Sequence, residues 1–136
     1  MPALRTIATR LSSLPGLDPE ACGEAFGCAM DDLGGVPHRY LATNPGHGLA
    51  QLELRVGTTG GIVVATVAPE QQEAWARESA RLGRLVGVDV VSPPVPAASD
   101  GLPRWTERRE IGGVVLKFGF EGERERPRLV PVSRSW

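Results

Sequence analysis

The sequence predicts an α+β fold: an N-terminal helix pair, a largely antiparallel sheet of about six strands, and one central helix (69–86) packed on it. Three observations predict it. Residues 4–33 place apolar side chains at helical spacing. From residue 36 onward apolar residues recur at period two between Gly-rich turns, the signature of paired strands. That strand pattern is interrupted once, by a helical stripe that opens at Pro69. Strands in succession, with helices that need to bury only one stripe each, give a sheet covered on one face.

Leu4, Ile7, Ala8, Leu11 and Leu14 fall on one helical face, with Arg5, Arg10, Ser12 and Ser13 elsewhere, and Pro15-Gly16 ends the run. Asp18-Pro19-Glu20 then supplies an N-cap, a first-turn proline and a first-turn acid for a second helix. Gly34-Gly35 is expected to close it, and the short connection suits an antiparallel pair. VPHRYLAT reads as a short strand that Pro37 confines to a sheet edge or a strand start. After the Asn44-Pro45-Gly46 turn, Ala50, Leu52, Leu54 and Val56 alternate with Gln51, Glu53 and Arg55, which makes a half-buried strand. Thr58-Thr59-Gly60-Gly61 turns the chain into GIVVATVA, whose nearly unbroken apolar run suits a central strand.

The helix from Pro69 to Val86 places Trp75, Ser79, Leu82 and Val86 on one stripe, and Glu70, Glu73, Arg77, Arg81 and Arg84 opposite. Gly87 ends it before the short strand VDVVS. SPPVPAASDGLP, residues 92–103, has loop composition. RWTERREI and VVLKFGFEG form a hairpin over Gly112-Gly113, which supplies the two positive φ angles of a type I′ turn. In the tail, RLVPV is expected as an edge strand, because Pro127 and Pro131 lack the N–H that a central one needs. In element order the chain resembles small secretion-chaperone domains, in which a leading helix, a three-strand meander, a helix and further strands form a dimer. It lacks the final helix of such domains.

At 136 residues the chain is expected to be a single domain, 1–136, able to bury a core without disulfide or metal staples. The net charge of -1 argues against bulk attraction to nucleic acid or anionic membranes. No run is apolar enough for a membrane span, and the N-terminal residues are too polar for a secretory signal. With only two cysteines, a cytoplasmic location with reduced thiols is expected. Fourteen arginines stand against one lysine, Lys117, a coding habit of a GC-rich bacterial genome rather than a sign of anion binding. From residue 101 on there are eight basic and five acidic residues, a balance of +3, so the first 100 residues carry -4.

The stretch 22–40 holds both cysteines and His38, and His47 follows in NPGHG. On a continuous helix Cys22 falls in the apolar stripe with Phe26, Met30 and Leu33, whereas Cys28 lies about 120° away on the flank. Six residues of helix cannot bring two thiolates to one metal, so no metal or other cofactor is expected. His38, Tyr40, His47 and Glu53 form an alternative pocket, with a histidine as general base, for a small-molecule enzyme or ligand-binding protein. Gly57–Gly61 leads into an apolar strand rather than a helix, which favours a hairpin turn over a phosphate loop of the GxxxxGK[ST] type.

The C-terminal hairpin interleaves arginine with tryptophan. Trp105, Arg108, Arg109, Arg124, Arg126 and Trp136 are the candidate partner-binding residues, since Arg and Trp are favoured at protein interfaces. The same residues could stack single-stranded nucleic acid, but the glutamates alternating with them suit a salt-bridged surface better. With no convergent set of catalytic side chains, the expected function is a non-catalytic cytosolic protein-binding module (adaptor, chaperone or immunity-like), expected to be a homodimer.

Overall fold

The computed structural model describes residues 3–91 and 103–136. Its element order is α1 (Leu4–Ser13), α2 (Pro19–Phe26), β1 (Asp31–Gly34), β2 (His38–Gly46), β3 (Leu49–Val56) and β4 (Gly61–Val67), then α3 (Gln72–Ser79), β5 (Arg84–Val91), β6 (Arg104–Ile111), β7 (Val114–Glu121) and β8 (Arg128–Ser135). All eight strands join one antiparallel sheet in the order β1-β2-β3-β4-β8-β7-β6-β5. Each half is a meander preceded by a helix, and the two meet where β4 pairs with β8.

The α+β class and the antiparallel sheet stand as expected; the count of about six strands is corrected to eight among the described residues. The second helix is the first cause. It begins at the Asp18 cap, whose side chain accepts from the Glu20 amide at 3.2 Å. It ends at Gly27, in the left-handed region with φ 64, rather than at Gly34-Gly35. The freed residues Asp31–Gly34 become β1.

The central helix is the second cause. A 3₁₀ turn, Pro69–Gln71, leads into α3, which stops at Ser79, well before Val86. Gly83, at φ 55, redirects the chain, and residues 84–91 pair along β6. Leu85, Val86, Val88 and Val90 fit helix and strand templates alike, and β-branched content favours the strand once β6 is available.

The third correction is β8, which lies at the centre of the sheet, not at an edge. Pro131 stands opposite Thr66 of β4, but on its other side it sits where the β7–β8 register shifts, the kind of irregularity at which a strand accommodates proline. Gly119 on β7 makes room, since a Cβ there would meet the Pro131 ring at 2.8 Å. The loop expected over 92–103 lies outside the described residues except for Pro103.

One face of the sheet packs against the helices. Leu52, Leu54, Val63, Ala65, Leu116, Phe118 and Val132 are buried there with Leu4, Ile7, Leu11, Cys22, Phe26 and Trp75. Arg134 ties the sheet to α1: its Nη1 donates to the carbonyls of Leu11, Ser12 and Leu14 at 2.9, 3.0 and 2.9 Å. These carbonyls lie at the C-terminus of α1, where a helix runs out of backbone partners; the Leu11 carbonyl also accepts from the Leu14 amide. Among the described residues no helix is long and apolar enough to cross a membrane.

Candidate functional site

Strand register decides which candidate residues can meet. Directly opposed residues in an antiparallel pair share a face, and successive residues alternate. Tyr40 stands opposite Leu54, so it faces the helices, and His38 shares that face, its ring stacked on Tyr40 with centroids 4.6 Å apart. Glu53 stands opposite Leu41 and therefore faces the other way. His47, at the β2–β3 turn with φ 60, lies with its Nδ1 3.3 Å from Arg10 Nη1 on α1. The sheet thus separates Glu53 from His38 and Tyr40, and His47 belongs to the turn beside α1.

His38 instead pairs with Asp32 across β1 and β2, Nε2 to Oδ1 2.5 Å, on the surface. That hydrogen bond, with one from the Gly34 amide, holds the Asp32 carboxyl below its ordinary value. An open cleft of about 660 Å³ lies between α2 and Tyr40 of β2. Cys28, Met30 and Tyr40 line it, with Glu20 and Glu24 along the helix side. Burial pushes the Cys28 thiol up, so it is protonated at neutral pH and a poor nucleophile. Cys22 is buried in the core and pushed up to about 12, by burial first and then by Cys28 and Asp18. Among the described residues no group of three or more His, Cys, Asp or Glu is placed to hold a metal ion.

The arginine–tryptophan candidates divide between both faces. Trp105 is 5% exposed and stacks on Phe120 at 5.4 Å on the helix side, with the Arg124 guanidinium 4.9 Å from its ring centre. Arg109, also buried, donates from Nη1 to the Leu82 carbonyl at 3.2 Å and from Nη2 to Glu107 at 3.1 Å. Arg108 lies on the opposite face, against Asp89 at 3.2 Å, its guanidinium packed over Gly87. Arg126 is exposed. Trp136 packs against the core under Arg134, whose guanidinium is 4.0 Å from its ring centre. Trp105 and Arg109 therefore hold the β6–β7 hairpin together from within, and the six residues do not form one surface.

What sequence reasoning missed is the outer edge of β5. Among the described residues no strand pairs with it. Along it Leu85, Val86, Val88 and Val90 are 47, 38, 46 and 66% exposed. Its two charged residues, themselves 71 and 61% exposed, pair with β6, Arg84 with Glu110 at 3.3 Å and Asp89 with Arg108 at 3.2 Å. The signal was present in the sequence as RLVGVDVV, but the helical reading claimed its first half. Comparison with protein-family models, curated proteins and solved structures gives no match.

Proposed function

We propose that this chain is a non-catalytic protein-binding module of the adaptor, chaperone or immunity kind, and that it pairs with a second copy of itself through the outer edge of β5. The observation that carries this reading is an eight-residue edge strand bearing a row of exposed apolar side chains. Such an edge offers unpaired backbone groups and apolar contact together, and single chains normally blunt it with charge, proline or brevity.

A two-fold pairing centred on Val88 sets Val88 against Val88, Gly87 against Asp89, and Val86, which lies where the β5–β6 register shifts, against Val90. It joins two eight-stranded sheets edge to edge. The helix-free face would then run continuously across both copies as a surface for a further protein.

Light scattering on the full chain tests this reading. A dimer is expected, with the Val88→Lys/Val90→Lys double variant a folded monomer. A wild-type chain that stays monomeric as concentration rises contradicts the pairing.

A further inference from the structure

The sheet face away from the helices carries a second arrangement, independent of whether β5 pairs. Arg39 on β2 and Arg55 on β3 stand directly opposite each other. Like charges so placed repel. Glu53 lies between them, its side chain only 4% exposed. Its Oε2 accepts from Arg39 Nε at 2.7 Å, with Arg39 Nη2 2.5 Å away. Its Oε1 accepts from Arg55 Nε at 3.1 Å and Nη2 at 2.8 Å.

Each guanidinium thus engages the carboxylate along its Nε–Nη2 edge. A guanidinium has five N–H donors, so Nη1 and part of Nη2 remain on each. Among the described residues no acceptor takes them, and the two arginine side chains stay 47 and 49% exposed. One carboxylate against two guanidinium groups leaves a positive charge over. Glu53 fixes the planes of both, so little side-chain entropy is left to lose when an anion arrives. Leu41 and Val64 flank Glu53 on the neighbouring strands and Ile62 flanks Arg55, all half-buried. Asp31 shares this side of the sheet opposite Leu41, is exposed, and makes no ion pair among the described residues.

We propose that Arg39 and Arg55 form a binding site for a carboxylate carried on an apolar body. The free guanidinium N–H groups take the two oxygens, a planar fork-to-fork match. Leu41, Ile62 and Val64 take the apolar part. Glu53 is a positioning residue that holds the two arginines and does not touch the ligand.

The test is an NMR titration of the full chain, read at the backbone amides, with octanoate, acetate and inorganic phosphate at low ionic strength. Octanoate is expected to move Arg39, Leu41, Arg55, Ile62 and Val64 and to bind about tenfold more tightly than acetate, from burial of about two methylenes. Arg39→Lys and Arg55→Lys keep the charge but lose the fork, and each is expected to weaken octanoate about tenfold or more. The same spectra report whether each variant is folded. The proposal is overturned if none of the three anions moves these amides, if the shifts survive both lysine substitutions, or if phosphate binds more tightly than octanoate.

Discussion

The two edges of the sheet are built on opposite principles. β1 is four residues long, Asp31–Gly34, its register against β2 is broken by a shift, and both of its first residues are aspartates. Asp32 is held by His38 and the Gly34 amide. β5 is eight residues long and mostly apolar; its register against β6 also shifts once, between Leu85 and Gly87, and its exposed Arg84 and Asp89 pair with Glu110 and Arg108 on β6. The first edge discourages a further strand, and the second invites one. Among the described residues, then, one end of the sheet is short and charged and the other is long and unpaired, the arrangement that the proposed two-fold dimer uses.

The contrast extends inward to the charges each half buries. In the β1–β4 half, the buried carboxylate Glu53 sits on the helix-free face between Arg39 and Arg55. In the β5–β8 half, the buried guanidinium of Arg109 sits on the helix side between Leu82 and Glu107. One buried charge organises an exposed pair; the other locks a hairpin against α3's end.

If Trp105 is an internal support of the β5–β8 half rather than a partner contact, Trp105→Ala should produce the largest loss. About 3–5 kcal/mol of unfolding free energy is expected in urea denaturation. An exposed contact residue would cost almost nothing in the isolated chain.

The next effect belongs to the other half. Burial alone would raise the Glu53 carboxyl above its ordinary value of 4.5, but the hydrogen bonds and charges of Arg55 and Arg39 outweigh that and lower it. A lowered folded value means that the contribution to stability is full above pH 4.5 and is lost as the pH falls through the folded value. Glu53→Gln should therefore destabilise by about 1–3 kcal/mol at neutral pH and flatten the acid limb of the stability profile. An unchanged acid limb would show that Glu53 is not held as described.

Smaller again is the effect of Val88→Lys/Val90→Lys, expected to cost at most about 1 kcal/mol per site in stability, because both side chains are already exposed. Its readout is assembly state, as set out above. The smallest change is expected at the protected edge, where Asp31→Val should alter stability by no more than about 0.5 kcal/mol and leave the assembly state unchanged. A new oligomer from Asp31→Val would mean that charge at β1, not brevity and register, is what blocks pairing there.

Much of this architecture was legible in the residues. The α1 stripe, the Asp18 cap, the Leu52–Leu54 alternation and the Gly112-Gly113 turn, with φ 60 and 82, all follow from local chemistry. The early end of α2 rests on a local signal, the left-handed Gly27, that Gly34-Gly35 outweighed in the sequence, whereas the other misread elements depend on a partner distant in sequence. Residues 84–86 become strand because β6 is there to pair with them, and Pro131 becomes central because Gly119 and a register shift accommodate it. The candidate pocket of His38, Tyr40, His47 and Glu53 was drawn from nearness in sequence. Strand parity separates Glu53 from the first two. The Arg39–Glu53–Arg55 cluster needed the cross-strand register, which no single segment contains.

The central claim is tested most directly by amide hydrogen exchange along the two edge strands as protein concentration is raised. Pairing through β5 predicts that its outward amides become as protected as those of β6 as the dimer forms, while the outward amides of β1 stay fast throughout. Equal, rapid and concentration-independent exchange at both edges would contradict it.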